Sequence, residues 1–309
     1  MKRGVKIIIF IIGLLILAGG AYGGYHYFTS QSTPSEKTST TKKVQHKKEV
    51  HIVALGDSLT QGVGDQQKKG GYVSIIKQKV EKQDNTKVIT SNFGVAGDRS
   101  DQILKRLNDQ SNVQQKLKSA DVIVMTVGGN DLMQTLEKNL FVSSQTKFET
   151  QMGIASKKYD NKLNDLFTTV RKYNSNAPIF LFSVYNPFYV YFANMSSITT
   201  SVSNWNKDTK TTLAGYGPAY FVDVNNLMSH GQYTTQTQQQ KLVQQANAAN
   251  SSSVNQKEIT QIMSKKNQNL NKYISTADNF HPNHQGYEKM ADKLFKEMQI
   301  HQNWLEKGK

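Results

Sequence analysis

The sequence predicts an α/β fold in which a central, mostly parallel β-sheet is covered by helices on both faces. Three observations lead there. Five short apolar runs recur between residues 51 and 224, and amphipathic stretches of helical period lie between them. A hydrophobic content of 37% supplies material for a core once the polar segments are set aside. Strands that alternate with helices return by crossovers that lay neighbouring strands parallel.

Taken in chain order, the first element is not part of that fold. Lys2, Arg3 and Lys6 precede Ile7 to Phe28, a mostly apolar stretch without Asp, Glu, Lys or Arg. About 20 apolar residues cross a bilayer as a helix, and positive charge on the short N-terminal side predicts an N-in, C-out orientation. Residues 1–28 are therefore expected to be a transmembrane anchor with the rest of the chain outside the cell. Ala21-Tyr22-Gly23 offers the small residues of a cleavage site, so the competing expectation is a signal segment and a secreted protein. Residues 29–49 are Ser, Thr, Gln and Lys with little to bury, which predicts a disordered polar linker. Its lysines suit an anionic lipid or cell-wall polymer, or serve solubility alone. The chain has no cysteine, which excludes disulfides, thiolate metal sites, a cysteine nucleophile and a lipid-modified cysteine.

From residue 50 to 309 one folded domain is expected. His51–Leu55, Val88–Phe93, Val122–Val127, Ile179–Val184 and Tyr220–Val224 read as strands. Tyr72–Val80, Ile103–Leu117 and Leu163–Val170 carry apolar residues at helical spacing. A segment from about 229 to 275, rich in Gln, Asn, Ser and Thr, breaks this rhythm and reads as a polar insertion with helical stretches at Gln239–Ala248 and Lys257–Tyr273.

The chemistry-bearing residues stand where strands end. Gly56-Asp57-Ser58-Leu59 follows the first strand, at the carboxyl edge where open α/β sheets present ligand groups. A serine there needs only a base to become a nucleophile; a helix-capping serine is the bland alternative. Asp278-Asn279-Phe280-His281 supplies a base with its orienting carboxylate, because an aspartate three residues before a histidine can accept from Nδ1 and leave Nε2 free. Gly97, after the second strand, and Asn130, after the third, are neutral donors suited to an oxyanion, or else a turn glycine and a helix cap. Asp57 reads as a turn carboxylate and Asp131 as a first-turn helix carboxylate.

In this order the four segments resemble blocks I, II, III and V of the SGNH (GDSL) hydrolases, over almost all of residues 51 to 309. The resemblance implies a flavodoxin-like three-layer α/β/α sandwich. It implies Ser58, Asp278 and His281 as catalytic triad, and an oxyanion hole of the Ser58 amide, Gly97 and Asn130. The activity implied is hydrolysis of carboxylic esters of lipid or short-chain acyl type, as in the lysophospholipase-like lipases and esterases of Gram-positive bacteria. A deacetylase of cell-wall or polysaccharide acetyl esters and a membrane-tethered binding module without catalysis are the rival readings. No cofactor is implied, and Asn92, His284 and the other histidines lack metal-ligand spacing. Tyr185, Phe188, Tyr189, Tyr191 and Phe192 follow the fourth strand and are candidates to line an acyl pocket. Residues 51–309 keep 30 basic and 21 acidic side chains, an excess that favours polyanionic surroundings; no nucleic-acid recognition motif appears.

Overall fold

Each of the five apolar runs forms a strand: β1 (Glu49–Gly56), β2 (Lys87–Gly94), β3 (Val122–Thr126), β4 (Ile179–Phe182) and β5 (Ala219–Val222). The computed structural model describes residues 45–139, 142, 144–249 and 270–307, all within one compact unit beginning at Gln45. The predicted membrane segment 1–28 and the linker up to residue 44 lie outside the described residues. Among the described residues no helix is long and apolar enough to cross a membrane.

All pairings are parallel and the strand order is β2-β1-β3-β4-β5. This is the flavodoxin-like order, in which the direction of sheet growth reverses at β1. The register runs Glu49 opposite Lys87 to Gly56 opposite Gly94, and Ile52 opposite Val122 to Gly56 opposite Thr126. The carboxyl ends of β1, β2 and β3 therefore finish level, at Gly56, Gly94 and Thr126.

Alternation along the strands builds two cores. Val53 and Leu55 of β1, with Ile123 and Met125 of β3, face helices α3 (Ser100–Asp109), α4 (Ser111–Lys118), α6 (Gln145–Tyr173) and α7 (Ser196–Ala214), through residues such as Leu107, Leu117, Leu166 and Trp205. Ile52 and Ala54, with Val122 and Val124, face α2 (Tyr72–Asp84) and α10 (His284–Ile300), through Ile76, Val80, Tyr287 and Leu294. The result is three layers. The remaining helices are α1 (Ser58–Gln61), α5 (Gly129–Asn139), α8 (Asn225–His230) and α9 (Gln236–Ala249).

Three expectations need correction. The single helix read over Ile103–Leu117 is two helices, because Gln110 adopts an extended backbone between them (φ −110°, ψ 104°). The linker does not extend to residue 49. His46 forms an antiparallel bridge with Glu306, the Lys47 amide donates to Leu305 O at 2.8 Å, and β1 already begins at Glu49. Backbone pairing with the far end of the chain is invisible to composition. Of the helical stretch Lys257–Tyr273, residues 257–269 lie outside the described residues, and Lys272 and Tyr273 are in a turn.

The polar excursion is fastened at both ends. Ser229 is buried, its hydroxyl accepting from the Asn186 amide and donating to Asn225 Oδ1. Asn271, fully buried, donates from Nδ2 to Met228 O at 2.8 Å and Ser229 O at 3.3 Å, and accepts from the Tyr273 amide. Between these anchors α9 docks Leu242 on Tyr189, Val190 and Ala193, with Val243 packed against them. Removing the Asn271 amide strands two buried carbonyls, so Asn271→Ala is expected to cost about 2 kcal/mol in urea unfolding.

Candidate active site

Asp57 turns the chain out of β1. Its Oδ1 accepts from the Leu59 amide at 3.0 Å, capping α1, and from Thr126 Oγ1 at 2.7 Å, which ties the turn to the end of β3. Thr126 Oγ1 lies 2.8 Å from Thr60 Oγ1, which lies 2.7 Å from Tyr72 Oη, so a buried hydroxyl chain continues into α2. Burial pushes the Asp57 carboxyl above its ordinary range, against the bonds from Thr126 and Leu59. Asp57 is thus the structural turn carboxylate the sequence predicts. Ser58 follows at the start of α1, 5% exposed.

The base reaches Ser58 from the other end of the chain. His281 Nε2 lies 2.8 Å from Ser58 Oγ, and His281 Nδ1 lies 2.6 Å from Asp278 Oδ2. With Nδ1–H donating to the carboxylate, Nε2 is the acceptor for the serine proton. Burial raises the Asp278 carboxyl, but bonds from the His281 ring and from the His281 and Phe280 amides outweigh it and leave it below its ordinary range. The spacing of three residues makes this pair a local turn.

Sequence reading missed the groups that fix the two loops against each other. Asp65, buried, accepts from His284 Nδ1 at 2.9 Å and from the Gln67 and Gly71 amides. The His284 amide donates to Gln66 Oε1, Tyr287 Oη to Val63 O at 2.7 Å, and Tyr185 Oη to Phe280 O at 2.9 Å. Gly64 (φ +88°) lies between them: a Cβ there would fall 2.5 Å from Pro282 O and 2.9 Å from the His281 Cβ. Asp65 and His284 are 219 residues apart, so no sequence spacing marks them as a pair.

Gly97 and Asn130 meet at one loop. Asn130 Nδ2 donates to Asp98 O at 2.9 Å, which uses one of its two N–H groups. Gly97 has φ +85° and nothing within 4 Å of a Cβ position, so its conformation rather than crowding favours glycine. Arg106 holds this loop: Nε pairs with Asp98 at 2.6 Å, while the guanidinium also donates to Phe93 O and Gly56 O, joining the ends of β1 and β2. Asp131, in the first turn of α5, accepts from the Ser100 amide and hydroxyl, a structural bond.

Beside Ser58 opens a pocket of about 120 Å³ whose walls are mainly apolar: Leu132, Met133 and Leu136 of α5, Ile198 and Val202 of α7, and Phe188. Tyr185 and Phe280 also line it. Of the aromatic cluster singled out in the sequence, Tyr185 and Phe188 face this pocket. Tyr189 and Tyr191 pack toward α9, and Phe192 shares a buried cluster with Phe188. Two walls come from α5 and α7, whose apolar spacing is the same whether it faces a core or a substrate. Among the described residues no cluster of three or more His, Asp or Glu forms a metal-holding group.

A doubly wound parallel sheet with a serine–histidine–aspartate chain at its switch point defines the class of ester hydrolases with a flavodoxin-like fold. Residues 52–294 match the model of the GDSL-like lipases/acylhydrolases, and the chain belongs to that family of ester-hydrolysing enzymes. It is 28% identical over 268 residues to the uncharacterized protein YpmR of Bacillus subtilis, covering 86% of this chain and 88% of that one. It is 33% identical over 139 residues to the spore germination lipase LipC of Bacillus licheniformis, covering 45% and 65%. Among solved structures, the lipase Lip_vut3 from a goat rumen metagenome superposes with a TM-score of 0.58 at 25% identity, over 79% of this chain and 95% of that one.

Burial raises the Asp65 carboxyl, but bonds from His284, Gln67 and Gly71 outweigh it and hold it below its ordinary range. A carboxyl depressed on folding contributes stability that is full above its unfolded pKa and lost as pH falls through the folded one. Urea unfolding of the wild type from about pH 5 to about pH 3 should therefore show falling stability. Asp65→Asn, less stable at pH 7, should show a shallower decline over that window.

Proposed function

We propose that this ester hydrolase is a serine esterase acting on carboxylic esters with an acyl chain longer than acetyl, with Ser58 as nucleophile, His281 as general base and Asp278 as its orienting carboxylate. The observation that carries the reading is the apolar pocket opening at Ser58 Oγ, next to a serine already hydrogen-bonded to its base. Ser58 Oγ attacks the ester carbonyl carbon as its proton passes to His281 Nε2. The resulting imidazolium is held by Asp278 and returns the proton to the leaving alcohol. Water then attacks the acyl-serine as His281 accepts its proton; the acyl–oxygen bond to Ser58 breaks, the carboxylic acid leaves, and His281 returns the proton to Ser58 Oγ. The Ser58 and Gly97 amides and the free N–H of Asn130 Nδ2 form the oxyanion hole. These donors are neutral, so they favour the charge where it develops without binding a resting anion.

The pocket wall supports the longer acyl chain over the acetyl ester. A polysaccharide acetyl ester would leave Leu132, Leu136, Ile198 and Val202 without a partner, whereas a hydrocarbon chain covers them at about 0.8 kcal/mol per buried methylene. An apolar cavity of about 150 Å³ takes a benzene ring, so this one takes roughly five or six acyl carbons. The sequence of residues 1–28, read as an anchor or signal, supports an activity outside the membrane, and the basic excess of residues 51–309 suits anionic lipid or cell-wall polymer there.

On nitrophenyl esters from acetyl to palmitoyl, kcat/KM should peak between butyryl and octanoyl. Ser58→Ala should lower it by about 10⁴-fold or more with the fold intact by circular dichroism. Equal rates for Ser58→Ala would remove the assignment. Val202→Phe fills the pocket and should shift the optimum to acetyl, lowering the octanoyl-to-acetyl ratio of kcat/KM by about tenfold or more.

A further inference from the structure

Helix α5 has two working faces. Leu132, Met133 and Leu136 face the acyl pocket; Asp131, Gln134 and Lys138, at i, i+3 and i+7, face a second cleft on the other side. Across it α6 presents Lys158 and Lys162, one turn apart, and Arg99 closes one end. The cleft holds about 490 Å³.

Its charge is unbalanced. Asp101 serves two cations at once, pairing with Arg99 at 3.1 Å and with Lys162 at 2.9 Å. Asp131 lies 3.7 Å from Lys162, but its oxygens are bound by the Ser100 amide and hydroxyl. Lys138 and Lys158 form no ion pair among the described residues. Four cations thus meet two carboxylates, leaving two positive charges on opposite walls of one concavity. The ion pairs fix Arg99 and Lys162 in place, while the two uncompensated ammonium groups are free to close on an anion from either side.

We propose that this cleft is a binding site for a phosphate group, held between Lys138 and Lys158. Two facing point charges match the charge of a phosphate monoester or of adjacent phosphodiesters, and lysine serves phosphate as a point charge. The volume leaves room for a glycerol-sized or sugar-sized substituent. The site is separate from Ser58, being walled off by α5, and its occupancy does not depend on the catalytic reading.

The test is calorimetric titration of the full chain with inorganic phosphate, glycerol 3-phosphate and glycerophosphoglycerol, alongside the double variant Lys138→Gln/Lys158→Gln. Saturable binding of at least one probe is expected, weakened tenfold or more in the double variant and retained in Lys138→Arg/Lys158→Arg. Butyryl ester hydrolysis should be unchanged in all three proteins. Tighter binding of the diester identifies a lipid headgroup or polymer as the source; tighter binding of the monoester identifies a soluble phosphate ester. No saturable binding by the wild type, or equal binding by the glutamine variant, overturns the proposal.

Discussion

No side chain fits at Gly56. A Cβ there would fall 2.6 Å from the Thr126 carbonyl oxygen and would also press on the hydroxyls of Thr60 and Thr126. Because that space is empty, the ends of β1 and β3 close together, Thr126 reaches Asp57, and the chain turns within one residue to expose Ser58 at the top of the sheet. The other parts are referenced to the same point. Arg106 and the Val95 amide both donate to Gly56 O, which sets the loop carrying Gly97, and Asn130 reaches that loop from the end of β3. The site is thus the consequence of level strand ends around one position without a side chain.

The second half of the site is imported. His281 comes from 223 residues away and is seated by a loop rather than by the sheet. Its seat is polar: His284 and Tyr287, at the start of α10, bond to Asp65, Gln66 and Val63 O of the loop after α1, and Tyr185, after β4, donates to Phe280 O. A network of this kind is sensitive to each member, since a half-satisfied one is worse than none. Apolar packing of α10 on α2 brings the loops near each other; the polar bonds determine where the imidazole sits.

What could be read from the chain and what could not follow the range of the interactions. The strands were legible because buried parallel strands are continuous apolar runs, and Ile179 to Phe182 has no other way to be solvated. Asp278 and His281 were legible because their contact closes within one turn. Arg106 was not, since its three acceptors, Phe93 O, Gly56 O and Asp98, come together only through sheet register. The pocket escaped for a different reason: Leu132, Leu136 and Val202 obey the same periodicity whether they meet a neighbouring helix or a substrate chain. Residues 45–48 misled because pairing with residues 305–307 is carried by backbone, which every sequence possesses.

The amide of Asn271 closes the base of the excursion on Met228 and Ser229, 43 and 42 residues earlier in the chain. A segment pinned at its neck transmits little of its own length to the body, because closure entropy grows only with the logarithm of the number of residues enclosed. That makes the stretch between the two pins a place where evolution can lengthen, trim or exchange material while the imidazole a few residues downstream keeps its position. The chain thereby carries a socket for accessory structure directly beside the loop that holds His281.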